Sequence, residues 1–181
     1  MSDHDVPIRP AATVILLRQH QRQPEVLLLH RNRSLVFGGD YWVFPGGRLD
    51  QRDYLATEET CIHAAARIAA VRETLEEAQL RIDPESLTAV SHWTTPKPSP
   101  KRYSTAFFVT LYQQFEEVMV DGSEIVDHQW LAAAEALAHY REGGKKMMPP
   151  TVHTLEEIAR HSRAEDYISM CAGREPLVFT H

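Results

Sequence analysis

Apolar and polar positions along this chain follow two periods, and the short period comes first. Residues 12–17 and 25–30 are β-branched and aliphatic, and the polar residues 18–24 lie between them, which predicts two strands joined by a hairpin connection. Residues 31–40 read as a basic, glycine-containing loop, 41–44 as a short extended piece, and Pro45, Gly46 and Gly47 as a turn. From about residue 60 to residue 80 the spacing becomes helical: Ala64, Ile68, Val71, Leu75 and Ala78 recur three or four apart, and this stripe is expected to face the core. Residues 87–94 and 102–112 read as strands. The second alternates Tyr103, Thr105, Phe107, Val109 and Leu111 against Ala106, Phe108, Thr110 and Tyr112, so both faces carry apolar groups and a central strand is expected. A strand at 125–131, an alanine-rich helix at 132–141 and a helix at 150–161 with proline in its first turn complete the pattern. This order predicts a mixed sheet with helices on its faces rather than a regular alternating parallel fold.

At 181 residues the chain suits one domain spanning 1–181, with no element assigned to the tail after about residue 162. A content of 43% hydrophobic and 24% charged residues is that of a globular protein and excludes collagen-like or wholly disordered classes. The formal net charge of -6 would repel polyphosphate chains, so no nucleic-acid partner is expected. An anionic small molecule would need a local cationic patch or a bound divalent cation. Cys61 and Cys171 are too few for a disulfide framework, and the scattered histidines make no zinc site. No apolar run approaches the roughly 20 residues of a membrane span, and the first residues lack a cationic leader. A cytoplasmic protein with no membrane partner is the expectation, with oligomeric state left open between monomer and homodimer.

The chemistry concentrates in Arg72-Glu73-Thr74-Leu75-Glu76-Glu77, late in the predicted helix. At about 100° per residue Glu73 and Glu77 should lie opposite Leu75, with Glu76 between them and the core edge, so that three carboxylates share a face. Like charges at this spacing repel by about 0.2–0.5 kcal/mol per exposed pair, which Arg72 relieves only in part. A solvated acidic face is one reading of such a cluster. The other is a site for Mg²⁺ or Mn²⁺, whose hard oxygen ligands these are. Phe44-Pro45-Gly46-Gly47 upstream adds glycines that let backbone approach a ligand.

Together these segments resemble the Nudix hydrolases, whose box reads G-x5-E-x7-R-E-U-x-E-E-x-G-U with U aliphatic; Gly47, Arg72, Glu73, Glu76, Glu77 and Leu80 fit it. The resemblance implies an α/β/α sandwich with a loop-helix-loop motif that hydrolyses a diphosphate linked to another group. It implies metal ligation by Glu73, Glu76, Glu77 and the Gly46 carbonyl, with Mg²⁺ or Mn²⁺ as cofactor. Further segments, among them residues 9–16, 44–50 and 102–108, look like the peroxisomal-type acyl-coenzyme A diphosphatase branch, which implies coenzyme A or acyl-coenzyme A as substrate and 3′,5′-ADP and a phosphopantetheine as products. ADP-ribose, NADH or a dinucleotide polyphosphate is the alternative within the class, and a nucleotide-binding regulatory module without turnover the alternative outside it.

Three departures from the box accompany the resemblance. Counting back from Arg72 puts Ala64 where a glutamate belongs, leaving Asp50, Asp53, Glu58 and Glu59 as substitutes. Gln79 stands at the closing glycine, where a change in how the helix ends is expected, and Thr74 stands at an aliphatic position. The resemblance assigns Arg72 to orienting a box carboxylate, Glu73. It puts the general base either on a box glutamate or on one in a later loop before a strand, which Glu124 in Asp121-Gly122-Ser123-Glu124 matches. Arg31, Arg33 and Arg102 are the cations assigned to the substrate, with Lys97 and Lys101 beside them. Trp42, Trp93 and Tyr103 are aromatic enough to stack on adenine, though strand aromatics usually fill a core.

Overall fold

The computed structural model describes residues 6–57, 62–114 and 116–180. Its centre is β1 (Ile8–His20), whose alternating side chains feed two cores. Val14 and Leu16 join Leu27, Leu29, Ala66, Ala70 and Phe108 on one face, while Ile15 and Leu17 join Val26, Leu28, Leu137, Leu155 and Tyr167 on the other. β2 (Gln23–Arg31) returns antiparallel beside it, with Leu17 opposite Val26 and His20 opposite Gln23. The expected hairpin is present, but its connection is shorter than residues 18–24. Arg18 and Glu25 form an ion pair across the strands, and Gln21 turns the chain at φ 51°.

The chain continues through β3 (Trp42–Val43), β4 (Gly46–Arg48), α1 (Gln51–Leu55), α2 (Ile62–Ala78), β5 (Thr88–Thr94), β6 (Arg102–Leu111), β7 (Ile125–Ala132), α3 (Ala133–Arg141), α4 (Pro149–Ile158), α5 (Ala164–Ala172) and β8 (Leu177–Phe179). Among the described residues the strands form one mixed sheet in the order β3-β2-β1-β6-β5-β8, with β4 paired to β1 and β7 to β2. β6 is central as expected, parallel to β1 and antiparallel to β5. Helix α2 covers one face and α3, α4 and α5 supply the other core, giving an α/β/α sandwich.

Three elements depart from the sequence reading. Gly46 and Gly47 are not a turn but strand residues opposite Thr13 and Ala12. The stripe expected to bury α2 is rotated: Ala65, Ala66, Ala69, Ala70, Thr74, Glu77 and Ala78 are buried, whereas Leu75 is 43% exposed. The helix meets the sheet through alanines, and the larger Ile68 and Val71 flank the contact. The tail without an assigned element forms α5 and β8, and β8 extends the sheet parallel to β5.

Candidate active site

Helix α2 lies against β4, and the two elements bring the acidic residues together. Gly46 is too crowded for any side chain, because a Cβ there would meet the Ala12 carbonyl at 2.5 Å and the Thr13 hydroxyl at 2.6 Å. At Gly47 the obstacle is the Glu73 carboxyl, because a Cβ would meet its Oε1. Glycine at these positions allows close approach of strand and helix, and the N–H of Gly46 donates to Glu77 Oε2 at 2.9 Å. In extended backbone the N–H and C=O of one residue lie on the same strand edge, so the Gly46 carbonyl is on the edge that faces α2.

The acidic residues do not share one exposed face. Glu77 is 6% exposed, and burial pushes its carboxyl up to about 8 against the opposing effect of the Gly46 N–H. Glu73 is also pushed up by burial, which outweighs its hydrogen bond from Arg72 Nη1 at 2.8 Å. Glu76 is on the flank, reached by Arg52 Nη2 at 3.0 Å and Arg72 Nη1 at 3.1 Å. Glu124 approaches from the loop before β7; its carboxylate pairs with Arg31 Nη1 at 2.9 Å, and the N–H of Asn32 donates to its carbonyl at 2.7 Å.

Arg72 is held by a residue whose role the sequence left open. Asp53, on α1, is 1% exposed and accepts from Arg72 Nε and Nη2, each at 2.9 Å. Burial opposes its charge, but the guanidinium and the N–H of Asp50, which donates to Asp53 Oδ2 at 2.7 Å, hold it below the ordinary carboxylate range. The same guanidinium donates to the Arg48 carbonyl at 3.0 Å, and its own pKa rises through the Asp53 hydrogen bonds. Asp53 stands six residues after Gly47, where the box glutamate falls when counted forward; the segment between it and Arg72 is longer than the box allows. Asp50 is the N-cap of α1, and Glu58 and Glu59 lie outside the described residues. At the far end of α2, Gln79 keeps the left-handed backbone of a closing glycine, with φ 56°, so the expected change in ending does not occur. Thr74 is buried and its hydroxyl donates to the Ala70 carbonyl at 2.8 Å.

A cleft of about 440 Å³ opens over this junction, lined by Gly46, Gly47, Glu73, Glu76, Glu124 and Arg72 among others. Glu77 lies behind its Gly46 wall. Arg31 lines the cleft, as do Arg48 and Arg52, which the sequence reading passed over. Arg33 and Arg102 do not line it. Arg33 is largely exposed and pairs with Asp40 at 3.4 Å, and Arg102 is buried with its Nε donating to the Thr95 carbonyl at 3.1 Å. Trp42 is buried between the stacked His30 ring at 4.7 Å and the Lys145 ammonium at 3.3 Å from its centroid, which removes it as a stacking platform. Tyr103 lines the cleft, and Trp93 lies beyond it in an adjoining chamber.

The donor set fits a hard divalent cation in chemistry, being carboxylates plus one backbone carbonyl. Among the described residues no three such groups stand already converged on one point. Arg72 and Arg52 occupy Glu73 and Glu76, and the Gly46 N–H occupies Glu77. The buried Glu77 and half-buried Glu73, both raised by burial, are groups that a cation would return to their charged form.

A NUDIX domain profile matches residues 7–150, so the chain belongs to the Nudix family. A Caenorhabditis elegans protein named as a nudix hydrolase is 26% identical over 194 residues, covering 88% of this chain and 62% of the relative. A human acyl-coenzyme A diphosphatase is 28% identical over 86 residues, 46% of this chain and 23% of that protein. The chain thus spans less than two thirds of either relative. Among solved structures, a NUDIX hydrolase from Alicyclobacillus acidocaldarius superposes with a TM-score of 0.81 at 22% identity, covering 91% of this chain and 97% of that one. Among the described residues no helix is long and apolar enough to cross a membrane.

Proposed function

We propose that the chain, acting as one unit in the cytoplasm, is a Mg²⁺- or Mn²⁺-dependent hydrolase of nucleoside diphosphate derivatives. Its first candidate substrate is coenzyme A or an acyl-coenzyme A, released as 3′,5′-ADP and the matching phosphopantetheine. The observation that carries this reading is the meeting of Glu73, Glu76 and Glu124 with Arg31, Arg48 and Arg52 in one cleft, directly over the buried Glu77. Carboxylates alone would repel a diphosphate, and cations alone would only bind it. The mixture suits a metal-bridged anion whose remaining charge meets guanidinium groups. The partial likeness to an acyl-coenzyme A diphosphatase supports the narrower substrate.

Glu73, Glu76, Glu77 and the Gly46 carbonyl would hold the cation, which when bound neutralises phosphate charge and acidifies water. Arg72, fixed by Asp53, orients Glu73 and stays out of the chemistry. Arg31 receives a phosphate oxygen, which draws it from Glu124 and frees that carboxylate to take the proton of the attacking water. The new bond joins water oxygen to phosphorus, the bond from that phosphorus to the bridging oxygen breaks, and the bridging oxygen leaves on the other phosphate.

The test is hydrolysis of coenzyme A, an acyl-coenzyme A, ADP-ribose, NADH and a dinucleotide polyphosphate with Mg²⁺, Mn²⁺ or chelator, the products resolved by mass. Metal-dependent 3′,5′-ADP supports the narrow reading. AMP from another substrate keeps the diphosphatase and rejects coenzyme A, and binding without turnover of any of them rejects hydrolysis in favour of a regulatory module.

A further inference from the structure

A second cavity of about 370 Å³ adjoins the acidic cleft, and the two share Thr13, Phe37, Val43, Phe44, Tyr103, Thr105 and Met148 as a common wall. Its other walls are Trp93, Thr94, Thr95, Pro96, Phe107 and the start of α4, with no charged side chain among them. A 3′-phosphorylated nucleotide would find no cation among the described residues of this chamber, whereas Arg31, Arg48 and Arg52 all line the cleft. An uncharged apolar chain loses water there without stranding a polar group.

One wall of the chamber, Trp93, packs against residues beyond the stretch that the family profile matches. β8 runs parallel to β5 in a register that puts Phe179 beside Trp93. The two rings stack with centroids 3.8 Å apart, and His153 of α4 meets both edge-on, at 5.7 Å from Trp93 and 5.0 Å from Phe179. Trp93 can present its ring to the chamber only in the orientation that this stack permits.

Resting on the diphosphatase reading for what fills the cleft, we infer that this chamber receives the apolar, aliphatic substituent of the substrate and that Trp93 sets its permitted length. Phe179 is a positioning residue that acts through Trp93. The C-terminal strand is thereby part of substrate selection.

The experiment measures equilibrium binding of free, acetyl-, hexanoyl- and decanoyl-coenzyme A, and of ADP-ribose, by calorimetry on the full chain in chelator, alongside turnover of the same set with Mg²⁺. Affinity should rise at least tenfold from acetyl to decanoyl, since each buried methylene adds to transfer from water. Trp93→Ala and Pro96→Glu should flatten that dependence, and Phe179→Ala should reduce it, with recovery in Phe179→Leu. Pro96 is exposed at the rim, so its variant keeps the test valid if Trp93→Ala fails to fold. Affinity independent of chain length in the wild type overturns the inference. So does an equal loss for ADP-ribose and decanoyl-coenzyme A in Trp93→Ala, which would put the nucleobase in the chamber. Chain-length-dependent binding without any turnover would leave the chamber standing and sink the hydrolase; turnover with flat chain-length dependence would do the reverse.

Discussion

Asp53 and Glu77 are both buried carboxylates beside the candidate active site, and their surroundings treat them oppositely. Asp53 receives two hydrogen bonds from one guanidinium and stays charged below the ordinary range. Glu77 receives one backbone N–H, keeps Glu73 and Glu124 as like-charged neighbours, and is pushed up to about 8 by burial. A buried carboxylate with its counter-charge inside the chain is part of the framework. One that accepts from no cationic side chain among the described residues, with Arg31 opposing its burial only at a distance, is the candidate for an external cation.

The largest effect expected is on turnover. Glu77→Gln should lower kcat by about a thousandfold or more, as loss of an essential electrostatic group does, while thermal unfolding in chelator is unchanged or raised. Full activity in Glu77→Gln would erase the distinction between the two carboxylates. Asp53→Asn should do the opposite in emphasis, costing about 3 kcal/mol of stability because Arg72 is left under-compensated. Urea unfolding checks this, and a loss below the precision of that assay would mean that Arg72 finds other partners.

The same contrast predicts opposite pH signs. Between about 4.5 and about 8 the folded protein holds a proton at Glu77 that the unfolded chain has lost, so metal-free stability should fall as pH rises through that window. Asp53 contributes stability that is present above the ordinary carboxylate range and disappears as pH falls through its lowered value. Melting curves in chelator from pH 5 to pH 8.5 read the Glu77 contribution, and their slope should flatten in Glu77→Gln. A wild-type slope that survives unchanged in that variant would assign the titration elsewhere.

The smallest effect concerns the end of α2. Gln79→Gly should raise stability by about 1 kcal/mol, since glycine adopts the left-handed conformation without the Cβ penalty. A destabilised variant would show that the Gln79 side chain contributes more than its strain.

These contrasts were only partly legible in the sequence. The central strand, the hairpin, the run of strands and helices, and the Arg72 to Glu77 cluster followed from period and motif. Phase within α2 did not, because alanines rather than Leu75 make the sheet contact and Glu77 takes a core-facing position. Gly46 and Gly47 looked like a turn because glycine pairs usually break chains, yet here they permit a strand to lie under a helix. Asp53 is one of four substitutes that the sequence leaves open; the extra residues lie between it and Arg72, so only the forward count from Gly47 singles it out. The distinction between Arg31, which lines the cleft, and Arg102, which caps a carbonyl inside the fold, depends on tertiary placement alone. The ring stack behind the apolar chamber likewise joins Trp93 to Phe179 across 86 positions, beyond the reach of local patterning.

The most direct measurement is Mn²⁺ binding, followed by calorimetry or by the paramagnetic signal of the free ion, to wild type, Glu77→Gln and a folded Asp53→Asn. Glu77→Gln should weaken binding about a hundredfold, while Asp53→Asn weakens it only about tenfold or less, through looser placement of Glu73. Equal affinity in wild type and Glu77→Gln would contradict the claim that the uncompensated buried carboxylate is the one reserved for the metal.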